Sequence, residues 1–128
     1  MITDKNNTLS EDQAITASAA STNQIDTEVA DANIGAGNPK FVYFTVTEDF
    51  ATLTSLEFEI EDAADDGSGS PDSWADILVS KAVAAADLVA GYQLKLAIPS
   101  VTRRYIRAYY TVNGSNATAG EVSAYVGP

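Results

Sequence analysis

A repeating alternation of apolar and polar residues, with a period of two, most constrains the fold of this chain. Its clearest instance is residues 56–61, LEFEIE, where three large apolar side chains alternate with three glutamates. Successive side chains of a β-strand point to opposite faces of a sheet. The segment therefore predicts a half-buried strand, with the apolar side chains inward and the carboxylates outward.

The same alternation recurs along the chain and is interrupted by segments rich in turn-forming residues. Strong strand segments lie at residues 41–47, 92–98, 105–112 and 122–126, and weaker ones at residues 14–18, 24–27 and 74–80. About eight short strands separated by turns predict an all-β, antiparallel β-sandwich or jelly roll. We expect a polar N-terminal arm at residues 1–12 and one β-sandwich domain at residues 13–128.

The breaks between strands predict particular connections. Residues 113–116, NGSN, lie between two strong strand segments and give the best hairpin signal in the chain. Residues 62–73, with two glycines, a proline and four aspartates, predict a long exposed loop. Residues 35–39 predict a turn, and the alanine-rich residues 80–90 favour a loop over a helical turn.

The chain has neither histidine nor cysteine. This excludes Ser-His-Asp and Cys-His catalysis, disulfides and ordinary zinc sites. Carboxylates remain, so a glycosidase-like pair or a calcium site stays formally open. However, alternate glutamates on one strand are spread about 7 Å apart, whereas calcium needs six to eight converging oxygens. We therefore favour a solvated acidic face and expect no catalytic residues, no cofactor, no metal and no enzymatic activity.

The charge of the chain is strongly negative and unevenly distributed. The net charge is −11, with 18 acidic and 7 basic residues. The first 66 residues hold most of the acids, and the remainder of the chain is nearly neutral. Such a surface repels nucleic acid and anionic membranes, so neither is expected as a partner. No apolar segment at residues 1–20 resembles a signal peptide, and we expect synthesis in a cytoplasm.

Aromatic and arginine side chains supply the candidate binding surface. Arginine and tyrosine are favoured at protein–protein hot spots. The arginines could alternatively pair with the protein's own acidic face, and the outward aromatics could be packed within the fold. The residues predicted for a partner or oligomer interface are Arg103, Arg104, Tyr105, Arg107, Tyr109, Phe41 and Tyr43.

Several short motifs, in this order and spacing, resemble the capsid cement (decoration) proteins of short-tailed bacteriophages. They are QAIT at residues 13–16, ASTNQID at 20–26, IGAGNP at 34–39, RYIRAYYTV at 104–112 and AGEV at 119–122. The resemblance extends from residue 13 to residue 126. It implies a jelly-roll fold, homo-oligomers on the outer capsid surface of the virion, and binding to the major capsid protein.

We therefore expect a structural protein that stabilises a phage capsid by bridging capsomers, with a homodimer or homotrimer as its own assembly. The N-terminal arm and the arginine-rich strand are the expected contact surfaces, and the glutamate-rich strand is expected to face solvent. Two alternatives remain: a carbohydrate-binding β-sandwich adhesin, and another structural module of a phage tail or baseplate.

Overall fold

The structure is a computed structural model that describes residues 7–28, 40–99 and 102–127. In this part of the chain there are ten β-strands and a single-turn 3-10 helix at Ala85–Asp87. No helix in the described ranges is long and apolar enough to cross a membrane. The strands are β1 (Thr8–Ala14), β2 (Ala19–Ala20), β3 (Ile25–Asp26), β4 (Phe41–Ala51), β5 (Ser55–Asp65), β6 (Pro71–Val79), β7 (Val83–Ala84), β8 (Gln93–Ala97), β9 (Tyr105–Asn113) and β10 (Ala119–Gly127).

The strands form two antiparallel sheets. Sheet A has the order β1-β10-β4-β8. Sheet B has the order β2-β9-β5-β6, with β3 also pairing with β9 and β7 also pairing with β5. The pairs β2/β3 and β6/β7 each act as one interrupted strand, so the ten strands occupy eight positions. In chain order, these positions run 1-8-3-6 in sheet A and 2-7-4-5 in sheet B, which is the jelly-roll arrangement.

The predicted fold class is therefore confirmed: the protein is an all-β, antiparallel, jelly-roll sandwich. The number of strands differs from the predicted eight because two of the eight positions are interrupted. Residues 25–26 and 71–79 form strands close to the weaker segments predicted from the sequence. The predicted turn at residues 35–39 lies outside the described residues.

The inward side chains of the two sheets meet in one apolar core. Phe44 of sheet A packs against Phe58 and Tyr110 of sheet B, with ring centroids 5.0 and 6.0 Å away. These three rings are at most 1% exposed. The hydroxyl of Tyr110 lies 2.8 Å from the buried hydroxyl of Ser10 on β1, so its polar end is satisfied. The period-two pattern had correctly predicted which side chains of β4, β5 and β9 point inward.

The N-terminal arm predicted at residues 1–12 differs from the structure over the residues that can be compared. Residues 1–6 lie outside the described residues, but residues 8–12 belong to β1, which pairs with β10. The segment is polar because β1 is an edge strand with bulges, and only Leu9 and Ser10 of its first residues are buried. An edge strand with one or two inward side chains leaves little alternation in the sequence.

The connections differ from two of the predictions. The predicted loop at residues 62–73 is shorter: β5 runs to Asp65 and β6 begins at Pro71, so these strands form a hairpin. The segment 113–116 is a turn, but it does not close a hairpin, because β9 pairs in sheet B and β10 pairs in sheet A. Gly114 has a φ of +84° in this crossover. Most of residues 80–90 form the predicted loop, with β7 and the 3-10 turn as short exceptions.

Candidate functional site

The structure divides the predicted interface residues between two opposite surfaces. Phe41 and Tyr43 lie on the outer face of sheet A, whereas the alternate residues Val42 and Phe44 point into the core. Arg107 and Tyr109 lie on the outer face of sheet B. Tyr105 starts β9 and is only 2% exposed, and the remaining two arginines directly precede this strand. The seven residues therefore do not form one continuous surface.

Arg103 is bound to an aspartate at the end of sheet B. Its guanidinium donates hydrogen bonds to Asp62 Oδ1, at 3.0 Å from Nε and 2.8 Å from Nη2. Its backbone N–H donates to Asp62 Oδ2 at 2.9 Å. Asp62 is buried, so these bonds satisfy a carboxylate that would otherwise be costly to remove from water. Asp62 is therefore part of strand β5 and not of the exposed loop predicted at residues 62–73.

Arg104 connects two acidic segments that are far apart in sequence. It donates to both carboxylate oxygens of Asp26 on β3, at 2.8 and 3.0 Å, and lies 3.5 Å from Asp65 on β5. The hydrogen bond from Arg104 holds the pKa of Asp26 below its usual value. Tyr105 donates to Asp65 at 2.9 Å, and this bond likewise lowers the pKa of that carboxyl.

Arg107 lies at the centre of the outer face of sheet B. Its Nε is 2.6 Å from Glu61 Oε1. Its guanidinium lies 4.3 Å from the ring centroid of Trp74 and 5.6 Å from that of Tyr109. We call the three side chains Trp74, Arg107 and Tyr109 the stacked triad. The ion pair and the two rings hold the guanidinium in place, and it remains 22% exposed.

The glutamates beside the stacked triad are covered rather than solvated. Glu59 and Glu61 are 6% and 9% exposed. Thr111 donates a hydrogen bond to Glu59, and Asp76 of β6 stands opposite Glu61. The pKa of Glu59 is raised to about 7, chiefly by burial; the hydrogen bond from Thr111 lowers this pKa and the nearby Asp76 carboxylate raises it. Burial also raises the pKa of Glu61, against the opposing effect of Arg107.

The expected separation between a glutamate face and an arginine–tyrosine face is therefore wrong. Strands β5 and β9 are neighbours in sheet B, and Glu61 lies opposite Arg107 in the register. Their outward side chains consequently share one face and neutralise each other in part. Arg103, Arg104 and Arg107 each pair with an acidic residue of this chain. The sequence had left open whether these arginines bind a partner or the protein's own acidic side chains, and the structure shows the internal pairing.

The outer face of sheet A carries a second cluster of aromatic side chains. Tyr43 and Tyr125 stack with ring centroids 5.4 Å apart, and Phe41 lies 6.1 Å from Tyr43. The ammonium of Lys95 is 4.6 Å from the Phe41 ring centroid. An open groove of about 250 Å³ follows this cluster and is also lined by polar side chains of β4 and β8, including Gln93.

Comparison with protein-family models identifies the family to which this chain belongs. The family model described as Bbp16 matches residues 9–126, which run from β1 into β10. The chain belongs to the Bbp16 family. This family is phage-related. No curated protein matches the chain.

Sequence reasoning missed several members of the candidate surfaces of this Bbp16 domain. Trp74 and Asp76 lie on β6, whose weak alternation gave no reason to connect it with the arginines of β9. Lys95 alternates with leucines on β8, and this pattern is the same for any lysine that points into solvent. The sequence therefore gave no sign that its ammonium lies over the Phe41 ring. Within the described ranges, no group of three or more acidic residues is arranged to hold a metal ion.

Proposed function

We propose that the protein is a structural, non-enzymatic decoration protein of a phage capsid. It binds the outer surface of the major capsid protein shell on the virion and stabilises the shell by bridging capsomers. The observation that carries this proposal is the Bbp16 match, which covers the jelly roll from its first strand to its last. The unit shared with this phage-related family is therefore the whole described sandwich, not a short segment within it.

The stacked triad is the best candidate for the shell contact. Tryptophan, tyrosine and arginine are the residue types most enriched at binding hot spots. In this protein they form one layer, with Arg107 held by Glu61 and by the two rings. Because the side chains are already fixed, binding loses little side-chain entropy. The triad is thus organised to bind before it meets a partner.

The surroundings of the triad indicate the charge of the complementary surface. Glu57 and Asp72 lie on the neighbouring strands β5 and β6, and Asp76 is exposed. A basic patch on the shell would complement this acidic margin, and a net charge of −11 would accelerate the encounter. Binding should accordingly weaken as the salt concentration rises, because ions screen exposed charges.

The mechanism of stabilisation is thermodynamic linkage. A protein that binds only the mature shell favours that shell over its disassembled or immature forms. Many copies, each bridging neighbouring capsomers, add the effect of avidity to the affinity of one contact. This role requires a rigid domain with defined surfaces and does not require a catalytic centre.

The test is to mix the purified protein with bare shells of the same phage, and to measure co-sedimentation and the temperature at which the shells open. We expect saturable binding and a higher opening temperature. Trp74→Ala should weaken binding about tenfold or more, since it removes a hot-spot side chain and leaves the ion pair of Arg107 in place.

The matched control is Val89→Ser, which changes an exposed apolar residue, 46% exposed, in the loop before β8. It should bind as the wild type does. If the wild type neither binds the shells nor raises their opening temperature, the proposal is wrong. If Trp74→Ala is folded and binds normally, the triad is not the contact.

A further inference from the structure

The open groove on the outer face of sheet A combines two kinds of side chain. Tyr43 and Tyr125 contribute stacked rings that are only half-buried, so ring surface remains exposed in the groove. The exposed side chains of Gln93 and Lys95 on β8 contribute an amide and an ammonium group. The groove, of about 250 Å³, therefore offers apolar contact and hydrogen-bonding groups to the same ligand.

The register of sheet A arranges these side chains in two adjacent rows across the strands. Tyr125, Tyr43 and Lys95 lie side by side in the first row. Thr45 and Gln93 lie side by side in the second row. Alternate residues of a strand are about 7 Å apart. One sugar ring with its substituents spans this distance, so a single ring can contact the aromatic row and the polar row together.

Lys95 gives the groove a positive charge that no carboxylate in the described part of the chain neutralises. Its ammonium lies 4.6 Å from the centroid of the Phe41 ring and forms no ion pair in the described ranges. The three arginines, in contrast, are each paired with an acidic residue. The net charge of −11 opposes an anionic ligand over most of the surface, and the groove is a place where a local cation attracts one.

These features match the chemistry of an acidic sugar. Ring faces of tyrosine carry negative charge density, which the polarised C–H groups of a sugar ring complement. The Gln93 amide and the Thr45 hydroxyl both donate and accept hydrogen bonds, as sugar hydroxyl groups require. The Lys95 ammonium donates a charge-assisted hydrogen bond to a carboxylate. We propose that this groove binds a saccharide that carries a carboxylate group.

The position of the groove in the sandwich keeps it accessible. The groove lies on the outer face of sheet A, and the stacked triad lies on the outer face of sheet B. A domain attached to a shell through the triad therefore leaves the groove open to solvent. Saccharide binding goes beyond the proposed function and does not depend on it, because all the lining residues belong to one domain.

Titration of the full chain with saccharide probes, followed by NMR of the backbone amides, tests the proposal without shells. The acidic probes are a hyaluronan tetrasaccharide and a trimer of N-acetylneuraminic acid, and the neutral probe is chitotetraose. We expect saturable shifts at Tyr43, Gln93 and Lys95. The acidic probes should bind about tenfold more tightly than chitotetraose, since a hydrogen bond between charged groups is stronger than a neutral one.

Two variants separate the contribution of charge from that of the rings. Lys95→Gln keeps a hydrogen-bond donor and removes the charge, so it should weaken the acidic probes about tenfold and leave chitotetraose unchanged. Tyr125→Ala removes one of the two rings, so it should weaken all three probes about threefold or more.

Lys81→Gln provides the matched control, because it makes the same change at an exposed lysine in the loop after β6. It should bind every probe as the wild type does. The proposal is overturned if neither acidic probe binds, or if the shifts map outside the groove. It is equally overturned if the acidic probes bind no more tightly than chitotetraose, or if Lys95→Gln binds them like the wild type.

Discussion

Glu59 should make the folded state less stable as the pH rises towards neutrality. Its side chain is covered on the outer face of sheet B, and burial raises its pKa from 4.5 to about 7. In the unfolded chain the same carboxyl ionises near its ordinary value. Between these two pH values the native state therefore holds a proton that the unfolded state has released. Stability is consequently full below about pH 4.5 and falls as the pH rises to about 7.

The magnitude follows from the size of the pKa shift. Each unit is worth about 1.4 kcal/mol, so the shift from 4.5 to about 7 sets an upper limit of about 3.5 kcal/mol. Glu59 is 6% exposed but lies on the outer side of the sheet, close to solvent that screens its charge. We therefore expect an actual cost of about 1–2 kcal/mol at pH 8.

Glu59→Gln should remove this cost. The amide keeps the shape of the glutamate and an oxygen that can accept the Thr111 hydrogen bond, and it cannot ionise. Its free energy of unfolding should exceed that of the wild type by about 1–2 kcal/mol at pH 8 and match it near pH 4. Urea unfolding at a series of pH values, followed by the fluorescence of Trp74, measures this difference.

Glu57→Gln on the same strand is the control. It also replaces an outward glutamate of β5 by an amide, and surface changes of this kind usually alter stability by less than about 0.5 kcal/mol. The reasoning would be refuted if Glu59→Gln gave no gain at pH 8, or if its gain were the same at pH 4 and pH 8.

Two further predictions concern single contacts. Arg107→Ala should lower the free energy of unfolding by about 1–3 kcal/mol, because it leaves the largely buried Glu61 without its hydrogen-bonded cation. Thermal unfolding at pH 7 measures this, and a loss below about 0.5 kcal/mol, on the scale of an exposed pair, would contradict it. Gly114→Ala should cost about 1–3 kcal/mol, since the residue has a φ of +84° and a Cβ would lie 2.2 Å from Thr54 Oγ1. Urea midpoints test it, and an unchanged midpoint would show that the turn adjusts freely.

The faces of the strands could be predicted from the sequence, but the neighbours of each strand could not. The period-two pattern indicates that Glu61 and Arg107 point away from the core, and this is correct. It contains no information on which strand lies beside which, and these two residues are 46 positions apart in the chain. The sequence therefore left open whether the arginines pair internally, and only the register of β5 against β9 answers that question.

Two predictions from local sequence composition were wrong because pairing between distant strands determines the structure there. The turn at residues 113–116 has the composition of a hairpin, yet its two flanking strands enter different sheets because each has a longer-range partner. The polar residues of β1 look like an arm because an edge strand needs few inward side chains. In both cases the decisive interaction is with a strand far away in sequence, which no local pattern reports.

The pairing of β1 with β10 has a consequence for how the chain acquires its structure during synthesis. Thr8 pairs with Tyr125, and the Ser10–Tyr110 contact closes a loop of 100 residues. β4, in the interior of sheet A, gains one of its two neighbours only when β10 has been made. Such long-range closure makes β-sandwiches fold in milliseconds to seconds, slower than helical proteins. Sheet A can therefore be completed only after Ala119–Gly127 has been synthesised, and until then the edge of β4 that pairs with β10 stays open to other strands, which favours aggregation.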